Sequence, residues 1–187
     1  VHDRRHRLSL LARLVSALER AGVPHALIGA AALAAHGVSR STLDIDLLAM
    51  DPRCLDRGLW QPLRREGISA EVRRGDEADP LAGVVAFAAP GERPVDLVVG
   101  KRAWQRSVLE RAEAGRFEEV ALPLVRAADL ILLKLFAGGP QDAWDIAELL
   151  AAGDRMALTA EVESHLTELP TEARALWQRL RAESATT

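Results

Sequence analysis

The chain has little of what anchors many small proteins. Its 187 residues include a single cysteine, Cys54, so no internal disulfide can form. No uninterrupted apolar run approaches the ~20 residues that a membrane-spanning helix requires, and no apolar core with a small-residue cleavage site follows the charged start Val1-His2-Asp3-Arg4-Arg5. The expected location is therefore the cytoplasm, with no membrane partner. Internal repeats and low-complexity runs are missing too. The formal charge of −3 gives no overall attraction to nucleic acid. Lysine is scarce: only Lys101 and Lys134 interrupt an otherwise all-arginine cation set, which clusters at Arg4, Arg5 and Arg7, at Arg64, Arg65, Arg73 and Arg74, and at Arg102, Arg106 and Arg111. These clusters read either as solvated helix faces or as a local phosphate-binding patch. The five histidines, His2, His6, His25, His36 and His165, lack metal-ligand spacing among themselves.

What is present is ample apolar material, 49% of residues, with 27% charged, as expected of a globular domain. Periodicity predicts a helix over 3–21 ended by Gly22, a short strand over 25–29, a helix over 30–35 closed by Gly37, and a strand over 43–50. A helix over 53–66 and a strand near 70–73 follow, then two strands, 84–88 and 95–99, joined as a hairpin. A helix over 101–114 and an extended piece over 117–125 complete the first part. The remainder reads as helices over 126–137, 140–152, 155–168 and 171–183. The implied architecture is α/β, a mixed sheet flanked by helices, with residues 1–125 as core and 126–187 as a helical C-terminal part. The tryptophans Trp60, Trp104, Trp144 and Trp177 fall on helical faces, where core or interface packing is expected.

Three features carry chemistry. Asp44 and Asp46 interrupt the apolar strand Leu43-Asp44-Ile45-Asp46-Leu47-Leu48. Residues i and i+2 of a strand share a face, so the two carboxylates would stand side by side, a costly arrangement unless a cation lies between them. Oxygen ligands suit magnesium. Gly29 forms a strand-to-helix turn, where a phosphate could approach backbone N–H groups. Asp96, in Val95-Asp96-Leu97-Val98-Val99, is a lone acid in a second apolar strand and would supply a third carboxylate. Three carboxylates can hold two magnesium ions, clamp a nucleoside triphosphate and activate a hydroxyl.

Gly29-Ala30, thirteen residues, then Asp44-Ile45-Asp46-Leu47 resembles the pattern of the nucleotidyltransferase superfamily with the DNA polymerase β-like fold. The wider stretch through His36-Gly37 and Arg40-Ser41-Thr42, with Asp129 to Lys134 and Gln141-Asp142-Ala143-Trp144-Asp145 further on, looks like the AbiEii branch. The resemblance spans about residues 25–150. It implies transfer of a nucleoside monophosphate from a magnesium-bound triphosphate to a hydroxyl acceptor. It also implies roles by position: Asp44, Asp46 and Asp96 as metal ligands, Asp96 also as a candidate base; Gly29, Ala30, Arg40 and Thr42 around the triphosphate; Lys134 on phosphate charge; and Asp142 completing the catalytic set. Branch members include toxins of toxin–antitoxin pairs, so the implied partners are a tRNA or protein acceptor and a cognate antitoxin. Position 30 departs from the family's glycine or serine, and no arginine precedes Asp142. Two other readings stay open: an enzyme modifying a small molecule such as an antibiotic, and a non-catalytic nucleotide-binding domain. Bottom-up, Lys134 could equally snorkel at a helix edge, and Asp142 and Asp145 could be early helical acids favoured by the dipole after Pro140, the role assigned to Asp145.

Overall fold

Leu10, Leu11, Leu14, Val15 and Leu18 line one face of the first helix, α1 (Leu10–Arg20), and are buried. The structure, a computed structural model, describes residues 8–39 and 44–184. Ser9 caps α1 by accepting from the Ala12 N–H, and Gly22, at φ +65°, turns the chain away. β1 (His25–Ile28) runs into α2 (Gly29–Ala35), and β2 (Ile45–Ala49) follows.

The continuous helix expected over 53–66 is instead two pieces: a 3₁₀ turn at Pro52–Leu55 and α3 (Gln61–Arg65). Asp56 Oδ1 accepts from the Gly58 N–H at 2.8 Å, a local turn that competes with helix propagation. The break lets Trp60 donate from its indole to the Cys54 carbonyl and meet Phe87 edge-on, with ring centroids 4.9 Å apart.

β3 (Ser69–Arg74), β4 (Gly83–Ala88) and β5 (Val95–Val99) form an antiparallel meander. α4 (Ala103–Glu110) is shorter than the helix expected over 101–114, because β6 (Glu113–Phe117) pairs with β7 (Val120–Leu124) as a hairpin. Glu118 takes the left-handed conformation, φ 51°, in its tight turn. Only helices follow: α5 (Ala127–Ala137), α6 (Pro140–Ala152), α7 (Arg155–His165) and α8 (Thr171–Ser184). α5 is apolar nearly all round and packs against α2, α6, α7 and α8, as a helix at the centre of a cluster must. Trp60, Trp104 and Trp177 are buried, whereas Trp144 is exposed. Among the described residues, no helix is long and apolar enough to cross a membrane.

The seven strands make one mixed sheet in the order β3-β4-β5-β2-β1-β7-β6. β2 lies parallel to β5 and β1 parallel to β7; the other neighbours are antiparallel. Leu47, Leu97, Val85 and Phe87 alternate onto one face, which is fully buried. The opposite face carries the row Ile28, Asp46, Asp96, Ala86 and Glu71, in register across five strands. α2 covers that face over β1 and β2. Towards β3 it opens, with Val98, Val84 and Ala86 only half-buried and Arg73 exposed.

Candidate active site

The open end of that row brings together Gly29, Asp46 and Asp96. Asp46 is the second residue of β2; its register partners are Ile28 on one side and Asp96 on the other. Two half-buried carboxylates therefore stand directly opposite one another on adjacent parallel strands. Opposed like charges destabilise a sheet, and the backbone of this one is held by apolar pairs above and below, Ile45 with Val95 and Leu47 with Leu97.

Gly29 closes the third side. Its φ is +64°, and a Cβ built there would lie 2.1 Å from Asp46 Oδ2 and 2.9 Å from Asp46 Cβ. The glycine thus supplies both a left-handed turn from β1 into α2 and the space that the Asp46 carboxylate occupies. Ala30, the next residue, is buried in the core cluster.

Asp44 is exposed and lies one residue before β2, whose ladder begins with the Ile45 N–H donating to the Pro94 carbonyl at 3.1 Å. Its charge is felt at Asp96. The Asp96 carboxyl is pushed above the usual carboxylate range, first by burial and next by the negative charge of Asp44, while the Arg73 guanidinium pulls it back. Arg40 and Thr42, expected near the triphosphate, lie outside the described residues.

The donor chemistry fits magnesium: hard carboxylate oxygens crowded on one sheet face, with mutual repulsion that a divalent cation would relieve and a glycine clearing space beside them. Among the described residues, no three His, Cys, Asp or Glu side chains are grouped so that they could hold a metal ion, so the carboxylates brought together are the pair Asp46 and Asp96.

Lys134 and Asp142 meet in a second cluster, between α5 and α6. The Lys134 ammonium is almost fully buried and lies 3.1 Å from Asp142 Oδ1 and 2.5 Å from Asp145 Oδ2. It does not snorkel to water; two carboxylates hold it. Asp142 also accepts from the Gly139 N–H at 3.0 Å, capping the first turn of α6. Asp145, read from sequence as structural only, is the nearer partner of Lys134, is fully buried and accepts from Gln141 Nε2. The signal was available: Asp142 and Asp145 are three apart, on one face of a helix that follows Lys134 after a Gly-Gly-Pro turn.

The arginine clusters divide by task. Arg64 and Arg74 donate to the carbonyls of Ala70 and Leu55, and Arg111 pairs with the buried Asp129. Arg73 reaches an acid only at 4.0 Å, on the exposed Glu71.

Comparison with protein-family models finds no match, and no curated protein matches either. Solved structures do. The antibiotic-resistance factor ANT(2'')-Ia, in its solution structure, is 15% identical with a TM-score of 0.52, over 95% of this chain and 94% of that one. ANT(2'')-Ia in complex with adenylyl-2''-tobramycin is 16% identical with a TM-score of 0.52, over 84% of this chain and 97% of the other. An antigenic nucleotidyltransferase-like protein from Paracoccidioides brasiliensis is 17% identical with a TM-score of 0.51, over 89% and 90% respectively. At these identities the likeness is one of architecture, and it spans nearly the whole of each chain: the mixed seven-stranded sheet, its flanking helices and the helical C-terminal part make up a nucleotidyltransferase-like fold.

Proposed function

We propose that this chain is a cytoplasmic nucleotidyltransferase that moves a nucleoside monophosphate from a triphosphate to a hydroxyl acceptor. The observation that carries the reading is the opposition of Asp46 and Asp96 on β2 and β5, with Asp44 close enough to perturb Asp96 and Gly29 fitted against Asp46. Asp44, Asp46 and Asp96 would hold magnesium, two ions in the fullest arrangement. Magnesium commonly takes one or two carboxylates and completes its shell with water and substrate phosphates, so an open carboxylate patch suits it. Bound there, it would supply charge neutralisation and polarise the reacting phosphate.

The chain's own residues do the rest. Asp96, half-buried at the open end of the row, accepts the proton of the acceptor hydroxyl. The hydroxyl oxygen attacks the α-phosphorus in line, one P–O bond forms, and the bond to the departing pyrophosphate breaks. The Gly29 turn and Ala30 would border the triphosphate beside Asp46, and Arg40 and Thr42 are proposed as further contacts to it. Lys134 offers its charge to the phosphates where Asp142, at the more exposed edge of its cluster, releases it; Asp145 keeps the ammonium in place.

The finer role proposed from the AbiEii resemblance is a toxin acting on tRNA, under control of a cognate antitoxin. The likeness in architecture to ANT(2'')-Ia, seen in complex with adenylyl-2''-tobramycin, supports a small-molecule acceptor as the second reading. The third reading, a non-catalytic nucleotide-binding domain, is separated from the first two by the assay that tests them.

The test is label transfer. Purified protein is incubated with magnesium, each of the four labelled triphosphates and either total tRNA or a panel of hydroxylated small molecules. Pyrophosphate release with label on an acceptor, lost in Asp46→Asn and Asp96→Asn, is the expected outcome. Magnesium-dependent triphosphate binding without turnover would leave only the non-catalytic reading standing.

A further inference from the structure

Beside Asp96 the open sheet face deepens into a cleft of about 370 Å³, lined by Arg73, Arg74, Asp79, Gly83, Val84 and Asp96. That size lies within the range of small-ligand sites. Its floor is set by register. Arg73 pairs with Val84, and Asp96 pairs with Ala86, two residues along the same strand β4. At ~4.8 Å between strands and ~3.4 Å per residue, the two Cα atoms are roughly 12 Å apart on one face. Both side chains line the cleft, and the Arg73 charge registers at Asp96.

The wall is the β3–β4 loop. Its ends are joined by the Gly75 N–H to the Ala82 carbonyl at 2.9 Å. From below, Lys101 Nζ donates to the carbonyls of Asp76 and Glu77 at 3.0 and 3.2 Å. Within the loop, Asp79 Oδ2 accepts from the Asp76 N–H, so this carboxylate serves the turn. Arg74 is spent too, since its guanidinium donates to the Leu55 carbonyl at 2.6 Å. Arg73 differs: its side chain is 64% exposed and its acidic neighbour, Glu71, is 4.0 Å away and 75% exposed. An ion pair that long and that wet holds the guanidinium weakly.

We infer that this cleft receives the acceptor, and that Arg73 selects acceptors carrying a phosphate near the reacting hydroxyl. The inference rests on the nucleotidyl-transfer reading, in which Asp96 must lie against that hydroxyl. A guanidinium matches phosphate oxygens in a bidentate fork, and here it sits across the cleft from the base. Arg73 is a specificity-determining residue in this scheme, and Lys101 positions the wall.

The test uses the full chain with magnesium and a labelled triphosphate. Three acceptors are offered: a dinucleoside monophosphate with a free 3′-hydroxyl, a sugar phosphate, and the neutral nucleoside adenosine. The expected result is a clear preference for one phosphorylated acceptor over the neutral one, and which of the two wins identifies an RNA end or a small molecule as the source of the phosphate. Arg73→Ala should raise the acceptor KM about ten- to a hundredfold, as for a lost charge-assisted hydrogen bond, while Arg73→Lys restores part of it. A structural role would not divide acceptors by charge. Direct binding of the dinucleotide should also weaken in Arg73→Ala and lose salt dependence, since one charge–charge contact is gone. The idea is overturned if the wild type uses adenosine as well as the phosphorylated acceptors, or if Arg73→Ala leaves their KM unchanged. Absence of magnesium-dependent triphosphate binding and of transfer to every acceptor would instead overturn the nucleotidyl-transfer reading, and this inference with it.

Discussion

Asp46 and Asp96 face each other across the parallel pairing of β2 with β5, one residue in from the end where Asp44 precedes β2. Nothing about sheet stability favours that pairing. Holding a charge at Asp96 is costly in its own right: the carboxyl is pushed upward by burial and then by Asp44. Local arrangements that oppose stability gather where a ligand is to be held.

The cost is measurable. A carboxyl with a raised pKa in the fold binds more protons folded than unfolded in the window from its ordinary value of 3.8 up to the raised value. Stability therefore falls as pH climbs through that window, and the favourable contribution, complete below 3.8, is gone at neutral pH. Asp96→Asn carries no such charge. Without magnesium it should melt above the wild type at pH 7, and the difference should vanish below pH 3.8. Its transfer activity should fall ~10²-fold or more, the usual worth of a general base. Thermal melts across pH, alongside pyrophosphate release, read both effects; a variant less stable than wild type at pH 7 would contradict the account.

At Gly29 the constraint is steric. Gly29→Ala places a Cβ 2.1 Å from Asp46 Oδ2 at a backbone φ of +64°. The left-handed conformation costs a non-glycine residue roughly 1–2 kcal/mol, and the overlap adds roughly 1–3 kcal/mol. Urea unfolding should read the overlap: Asp46→Ala introduced into Gly29→Ala removes the clash with the carboxylate and recovers part of the loss, while the Cβ of residue 46, 2.9 Å away, and the conformational part remain. Equal losses in the single and double variants would mean that Asp46 is not what fills the space.

Cys54 should be chemically silent. Its thiol is fully buried and pushed up to about 12, by burial first and by Asp51 second. A thiol-selective reagent at pH 8 should leave the native protein unlabelled over the time that fully labels it in denaturant. Labelling of the native protein at a comparable rate would contradict the burial.

Part of this site could be read from residue order, because an acid within an apolar run marks a charged strand position: Asp46 lies in β2, whereas Asp44, expected on the same strand face, stands exposed just before it. The row that aligns Asp46 with Asp96 could not. β2 and β5 are separated in sequence by β3 and β4, and no local pattern encodes a parallel pairing across such a gap. The same limit hid β6. Glu113-Ala114-Gly115-Arg116-Phe117 lacks strand alternation and becomes an edge strand only because β7 is there to pair with it. Between 53 and 66, the turn at Asp56 and Gly58 outweighed a helical spacing that was real but short. Arg73 looked like any solvated arginine until the β3–β4 register set it on the sheet face that carries Asp96.

The buried cluster of Lys134, Asp142 and Asp145 gives the last prediction, and its two acids should behave differently. Asp145 is inaccessible to water and 2.5 Å from the ammonium, whereas Asp142 is partly exposed, lies 3.1 Å away and also caps α6. Removing one partner of a buried ion pair strands the other charge and costs about 3 kcal/mol or more. Losing a helix cap costs about 1 kcal/mol. Asp145→Ala should therefore lower the urea midpoint about three times as far as Asp142→Ala, with the slope m unchanged in both. Lys134→Met should be as damaging as Asp145→Ala, because it leaves a fully buried carboxylate without its cation. Combined with Asp145→Leu, it should recover most of the loss, since an apolar pair of similar volume needs no such partner. In that doubly apolar variant the fold is intact and the ammonium is gone. If transfer activity is lost while stability returns, Lys134 serves the phosphates; if activity returns with stability, the cluster's task is to hold α5 against α6.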